Sequence, residues 1–332
     1  MSWQRVKDRG MWEEKLQQPS WTPFAQSWAW GEFQKKCGRE VCRLVWVEEG
    51  AWKMMAQFIR YRRLGGSYWF ASRGPVFLGE AERDAVVLLN RAFGKPIDLL
   101  SGFSLFTRLE PRVGSVATMS SWQRRPSLSP STTLLTDLRQ ETTILQGAMH
   151  TKTRYNIRVA ERHGITVREG TTEKDFDLFW RLTEETAKRD GFLPHAKNYL
   201  HALWRELSES GIARLRLAEW EGKVLAANLE IAYGDTVTYL HGASTSEARQ
   251  TMAPYALHWS AMQGAKAEGR YWYDWWGCNP EDQTAFDYKS TWDGITRFKL
   301  GWGGNRVSLM GTWDVPRYPL LYKILSKYRG WR

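Results

Sequence analysis

The spacing of apolar and polar positions divides the chain into short helices and strands. Residues 28–38 carry apolar positions at helical spacing and close on Gly38, which predicts a short helix. Two alternating, β-rich runs follow at 41–48 and 52–61, separated by a Glu-Gly pair suited to a hairpin turn. A third strand at 67–72 ends at Arg73-Gly74-Pro75, residues 79–93 return to helical periodicity, and 105–109 reads as a further strand. The Ser-, Pro- and Arg-rich stretch 115–130 reads as a surface connection into a strand at 133–137.

The second half repeats this order. A basic helix over 142–163 ends at Gly164, a strand follows at 165–169, and 174–189 forms a longer amphipathic helix stopped by Asp190-Gly191. Helix 196–208 then leads into strands 213–220 and 224–233, joined by Glu221-Gly222, and a third strand at 236–243 lies across Gly234-Asp235. Residues 254–268 form a helix, 271–276 an aromatic strand ending at Gly277, and 318–328 a basic amphipathic helix able to pack back on the first lobe. Helix, helix, hairpin, strand, helix, strand therefore recurs, in a looser version in the first half. The expected fold class is α/β (α+β) with a duplicated unit, although no residue-level repeat is visible. The expected lobes are 1–138 with 312–332, and 139–311.

Composition supports two lobes, because 332 residues exceed the usual single-domain size of roughly 100–200 residues. Lys and Arg number 47 against 36 acidic residues, a formal charge of +11. Such a surface attracts polyanions, with tRNA, a diphosphate substrate or an anionic membrane as candidates. Cys37, Cys42 and Cys278 have neither zinc-site spacing nor the density of a disulfide framework, so reduced, structural thiols are expected. Residues 1–18 lack the apolar core of a signal peptide, and no apolar stretch approaches the roughly 20 residues of a membrane span. A cytoplasmic protein is the expectation, with peripheral attachment to the inner face of the membrane left open. Most of the 20 tryptophans are expected in cores.

The motifs of phosphate-loop hydrolases, dinucleotide-binding dehydrogenases, zincins and serine hydrolases are missing, and the six histidines lack metal-ligand spacing. Lys152, Arg154 and Arg158 place cations on more than one side of a helix near its start. That suits tRNA or phosphate binding, or equally a solvated basic face. The run 296–302 alternates Phe298, Leu300 and Trp302, which predicts a strand with Lys299 facing away from them. A lysine projecting into a cleft can stabilise the oxyanion of an acyl-transfer intermediate.

Several ordered segments resemble the FemABX family of non-ribosomal peptidyltransferases that build peptidoglycan cross-bridges. They are Gln26-Ser27-Trp28-Ala29-Trp30-Gly31-Glu32-Phe33, Arg73-Gly74-Pro75-Val76, the basic helix from Lys152, Arg189-Asp190-Gly191-Phe192 with Tyr199, Gly242-Ala243-Ser244 with Ala253-Pro254-Tyr255-Ala256, Tyr273-Asp274 with Gly277, and Phe298-Lys299. The resemblance runs through nearly the whole chain and implies two tandem GNAT-like (acyl-CoA N-acyltransferase-like) lobes. Without an inserted coiled-coil arm, the chain is more similar to the short FemX type.

The resemblance implies an aminoacyltransferase that moves Gly, Ala or Ser from aminoacyl-tRNA to the stem peptide of a UDP-linked or lipid-linked peptidoglycan precursor. Aminoacyl-tRNA is then a co-substrate, and no cofactor or metal is required. Lys299 matches the lysine that stabilises the developing charge. FemX-like members hold the acceptor diphosphate with a lysine on the first-lobe helix and an arginine before the Tyr199 position. Here those places carry Gln34, beside Lys35 and Lys36, and His195, which hold a diphosphate less firmly. Tyr199 and Tyr239 match substrate-contacting tyrosines, His241 stands where a second tyrosine is expected, and Glu110 stands where FemX-like proteins carry an aspartate. The alternatives are tRNA-dependent aminoacylation of another amine, on a small molecule or protein, and a non-catalytic RNA-binding or membrane-surface protein.

Overall fold

Turn chemistry and apolar alternation produce two sheets. The computed structural model describes residues 1–114 and 121–327. It begins with strand β1 (Ser2–Arg5), helices α1 (Arg9–Leu16) and α2 (Trp28–Lys36), and strands β2 (Val41–Glu48), β3 (Ala51–Arg63), β4 (Gly66–Ala71) and β5 (Val76–Phe77). Helix α3 (Ala85–Phe93) and strands β6 (Phe106–Leu109), β7 (Gln123–Arg125) and β8 (Thr132–Asp137) follow. Next come α4 (Thr142–Ala148), α5 (Thr151–Arg162), β9 (Thr166–Gly170), α6 (Glu173–Asp190) and α7 (Lys197–Glu209). The chain continues through β10 (Ala213–Trp220), β11 (Lys223–Tyr233), β12 (Thr236–Ser244), α8 (Ala253–Ala267) and β13 (Trp272–Gly277). It closes with α9 (Asp293–Leu300), β14 (Asn305–Ser308), β15 (Thr312–Pro316) and α10 (Pro319–Leu325).

Two compact units result. One comprises Met1–Thr132, Asn279–Tyr288 and Val307–Arg332, the other Thr133–Cys278 and Lys289–Arg306. The first sheet runs β1-β2-β3-β4-β6-β15-β7, with β5 against β3, and the second runs β9-β10-β11-β12-β13-β8-β14 from its other edge. The pairings correspond in sequence: three antiparallel, then parallel β4/β6 or β12/β13, then antiparallel β6/β15 or β13/β8. The expected duplicated α/β unit is thus present. Each parallel pair needs a crossover, which α3 and α8 supply. Both hairpins turn on a Glu-Gly pair, Glu49-Gly50 and Glu221-Gly222, with positive φ at both residues, the geometry whose twist matches paired strands.

In the first unit, Leu44, Met54, Phe58 and Trp69 pack with Leu88, Leu89 and Phe93 of α3. In the second, Trp275 and Trp302 centre a cluster with Tyr273, Ile157 and Met262. Trp12, Trp69, Trp275 and Trp302 are fully buried, as packing tryptophans should be.

Local departures have identifiable causes. The helix expected over 142–163 breaks between α4 and α5, where the His150 N–H donates to the Gly301 carbonyl at 2.9 Å and the His150 ring caps the Lys152 N–H at 3.1 Å. The strand expected over 296–302 is instead α9 and the turn after it. Its buried residues Thr296 and Lys299 stand three apart, at helical spacing, and Lys299 therefore projects from a helix. Within 1–18, α1 was not anticipated. It is capped by Asp8 and buries Trp12 and Leu16, four apart. The 115–130 connection contains β7, while 115–120 lie outside the described residues, as does Tyr328 at the end of the expected tail helix.

Strand β15 is tied to β6 by a buried ion pair. Arg108 reaches Asp314 through two hydrogen bonds of 2.7 and 2.9 Å, and the Tyr322 hydroxyl of α10 donates to the same carboxylate at 2.7 Å. Both charges are buried, so removing one strands the other. Asp314→Ala should cost about 3–5 kcal/mol of unfolding free energy by denaturant titration. A loss below about 1 kcal/mol, the range of exposed pairs, would contradict this role.

Candidate active site

Strands β12 and β13 pair only as far as Thr238 and Asp274. Beyond that point β12 stays attached to β11 out to Ser244, and β13 stays attached to β8 at Gly277. Held by their outer neighbours, the two parallel strands part at their C-terminal ends. Backbone groups facing the gap lose their ladder partners and become available to side chains or a ligand.

A bulge in β12 decides what faces the gap. Tyr239 pairs with Glu230 and His241 with Leu229, so Leu240 is the extra residue and the alternation reverses. Tyr239 lies edge-on to His258 of α8, with ring centroids 4.5 Å apart, whereas His241 turns to the other face and meets His195 at 5.6 Å. Gly242 makes this possible, because a Cβ there would overlap the Tyr239 hydroxyl and ring.

Lys299 of α9 completes the group. Its Nζ donates to the Gly277 carbonyl at 2.7 Å and stands 5.4 Å from the centre of the Tyr239 ring. The side chain is only 6% exposed. Burial pushes its pKa down to about 8, with Cys278 and the Asp274 carboxylate offsetting part of the effect. An ammonium has three donors, and one is committed to Gly277. The others are free to serve an oxygen that develops negative charge beside Tyr239.

Behind Tyr239 lies a buried polar chain. Arg216 Nε donates to Glu230 at 2.9 Å, the Tyr273 hydroxyl stands 3.4 Å from Glu230, and His258 Nδ1 is 3.2 Å from that hydroxyl. Burial raises the Glu230 pKa against the opposing pull of Arg216. Burial, with Lys299 adding to it, drives that of His258 down to about 3, so the imidazole is neutral and adds no second positive charge. Neither Glu230 nor His258 was singled out from sequence. The available signal is a carboxylate two residues after Asn228 in the mostly apolar run of β11.

The remaining candidates fall in separate places. His195 and Tyr199 sit 5.3 Å apart and, with His241, form an aromatic group on the opposite face of β12 from Lys299. Partial desolvation by its ring neighbours lowers the pKa of His195, which is itself exposed, and burial takes that of His241 down to about 3, so His241 is neutral at physiological pH. On α5, Lys152 and Arg158 are exposed, but Arg154 caps α4, donating to the carbonyls of Gln146, Gly147 and Met149. In the first unit, Gln34 is buried and accepts a hydrogen bond from Arg39, while exposed Lys35 pairs with Glu32 at 2.9 Å and Lys36 is exposed. Glu110 is buried with four protein donors: Ser72, the Arg73 and Ser129 N–H groups, and Thr312. Among the described residues, no group of three or more His, Cys, Asp or Glu side chains is placed to hold a metal ion.

Comparison with solved structures places this architecture. It superposes on the crystal structure of FemX with a TM-score of 0.81 at 18% identity, covering 98% of this chain and 100% of that one. A tandem GNAT protein from the clavulanic acid biosynthesis pathway gives 0.53 at 9% identity, covering 96% and 98%. The fold is therefore that of tandem GNAT-like proteins. The profile of the FemAB family matches residues 123–221 and 216–328, and the chain belongs to that family. It is 24% identical over 242 residues to the UDP-N-acetylmuramoylpentapeptide-lysine N(6)-alanyltransferase of Weissella viridescens, covering 66% of this chain and 70% of that protein. It is 21% identical over 269 residues to the lipid II:glycine glycyltransferase of Staphylococcus aureus (strain USA300), covering 61% of this chain and 62%, less than two thirds, of that relative.

The space over Gly242 supplies a test of the site's packing. Gly242→Ala should lower stability by about 1–3 kcal/mol in denaturant titration, as overpacking does. Adding Tyr239→Ala should cost less than its separate effect, because the clash is gone. Strict additivity of the two changes would show that Tyr239 does not occupy that space.

Proposed function

We propose that the chain is an aminoacyltransferase that carries an amino acid from aminoacyl-tRNA to an amine on the stem peptide of a peptidoglycan precursor. The observation that carries this reading is the buried, partly donor-satisfied Lys299 at the parting of β12 and β13, in a chain of the FemAB family. The named activities of the Weissella and Staphylococcus relatives, transfer of alanine and glycine to such precursors, support the acceptor class. The net charge of +11 favours a polyanionic donor, and Lys152 and Arg158, with Arg162 further along, are exposed α5 cations available to tRNA phosphates.

In the proposed reaction the free amine attacks the ester carbonyl carbon of aminoacyl-tRNA. The C–N bond forms and the carbonyl oxygen becomes an oxyanion, which the remaining Lys299 donors stabilise. Collapse breaks the ester C–O bond. The terminal ribose oxygen leaves with a proton, the amine nitrogen having lost one. Exchange of an ester for an amide is downhill, so alignment and charge stabilisation are the protein's tasks. Tyr239 forms the wall facing the ammonium, and the Glu230–Tyr273–His258 chain fixes that wall.

A second acceptor is favoured by one observation. Gln34 is buried, uncharged and engaged by Arg39, so the first-lobe helix does not offer a lysine at that place to a diphosphate, and an amine on a small molecule or protein is the alternative. tRNA charged with radiolabelled Gly, Ala or Ser, incubated with UDP-linked or lipid-linked pentapeptide, tests both. Label in either peptide supports the cell-wall reading and tells soluble from lipid-linked acceptor. Binding of tRNA without transfer to either points to the other amine.

The titration of Lys299 has a kinetic consequence. The ammonium form predominates below a pKa of about 8, so the turnover of wild type should decline as pH rises past that value. Arginine keeps its charge throughout this range, and the residual turnover of Lys299→Arg should lack the declining limb. An identical limb in both proteins would assign it to another group.

A further inference from the structure

Helix α10 divides its apolar residues between two sides. Tyr322 is buried among Tyr68, Phe70, Leu105 and Phe106, with Leu325 beside it. Leu320 and Ile324, four apart, face outward and are 80% and 59% exposed. A buried apolar face accounts for the docking of the helix, but it does not explain a second apolar face in water.

The neighbouring surface continues this pattern. Phe103 stacks on Tyr318 at 5.7 Å, and both rings remain about half exposed. Tyr61 and Tyr68, which flank the β3–β4 turn, stack at 5.4 Å and belong to the cluster under α10. The turn carries Leu64, which is 98% exposed. Arg60 donates to the Phe103 carbonyl at 3.2 Å and joins turn and loop.

Cations predominate on this surface, with exposed Asp98 on the loop that leads to Phe103 as an opposing charge. Arg62 and Arg63 precede Leu64, and Arg317, Lys323 and Lys327 accompany α10, with no Asp or Glu between residues 51 and 79 or between 315 and 327. Of the nearby carboxylates, Glu40 is engaged by Arg60 and Arg62, and Asp314 is buried against Arg108. Separate apolar tips set among cations, with aromatic rings beside them, match the chemistry of a lipid–water interface. Apolar side chains enter the acyl boundary, rings sit at headgroup level, and long basic side chains reach lipid phosphates.

We propose that the face formed by α10, Phe103 and the β3–β4 turn docks on an anionic lipid surface, with Leu64, Leu320 and Ile324 as the inserting side chains. The docking goes beyond the transferase reading and does not depend on it. Where that reading also holds, the docked chain takes a lipid-linked precursor in preference to a free one.

Co-sedimentation of the full chain with vesicles tests the surface. Wild type should bind vesicles containing about one third phosphatidylglycerol and bind phosphatidylcholine vesicles far more weakly. The double substitution Leu320→Ser with Ile324→Ser should weaken partitioning about tenfold or more, and Lys323→Glu should weaken it roughly fivefold or more, at least one cation's share. Ile144→Ser, at an exposed apolar position of the second unit, should bind like wild type. All four side chains are exposed, and unchanged circular dichroism would establish folding. Equal binding by the Leu320/Ile324 double variant and wild type would overturn the proposal in favour of diffuse attraction by net charge. No binding of wild type to anionic vesicles would overturn it outright, and retention on an acidic protein alone would then point to a protein partner. Vesicle binding without aminoacyl transfer to any acceptor would leave this surface standing and count only against the transferase reading.

Discussion

The second unit depends on two parallel strands that stop pairing before they end. Strand β12 is anchored by β11 and β13 by β8, so neither can close on the other past Thr238 and Asp274. An unclosed pair would ordinarily be a defect, because buried backbone groups without partners cost free energy. Here the gap receives an ammonium group. Lys299 satisfies the Gly277 carbonyl, and the burial that weakens its hold on a proton also raises the strength of its remaining donors.

The surroundings keep that ammonium effective. A protonated His258 would repel Lys299, but burial holds it neutral, and the Arg216–Glu230 pair supplies charge balance one layer further back. Tyr239 presents an aromatic face to the ammonium and has room to do so because residue 242 is glycine. The bulge at Leu240 separates this group from His195, Tyr199 and His241, so one strand serves two surfaces of different chemistry. Lys299 is positive, while the trio is aromatic and polarisable.

Much of this architecture was legible in the sequence, for reasons that are local. Glu49-Gly50 and Glu221-Gly222 fix their hairpins through the φ values they accept, and the apolar periodicity of α6 and α7 survives in isolation. Motif order marks Lys299, while local alternation points to a strand where the chain forms helix α9. Phe298, Leu300 and Trp302 fit alternation, and five residues are too few to distinguish it from a helix that buries Thr296 and Lys299. The break before α5 depends on a hydrogen bond to Gly301, distant in sequence, and the capping role of Arg154 depends on that break. The Glu230–Tyr273–His258 chain joins three elements, and no spacing along one of them announces it. Glu110, expected at substrate, is saturated by protein donors that only the folded first unit assembles.

In the proposed reaction, charge at Lys299 carries acyl transfer. Its most direct measurement is the single-turnover rate of amide formation by Lys299→Met with saturating aminoacyl-tRNA and precursor, alongside the affinity of the same variant for tRNA. The rate should fall by about 10²–10³, the cost of losing one oxyanion donor, with tRNA affinity unchanged. A wild-type rate in the variant would contradict this role, and so would a loss explained entirely by weaker tRNA binding.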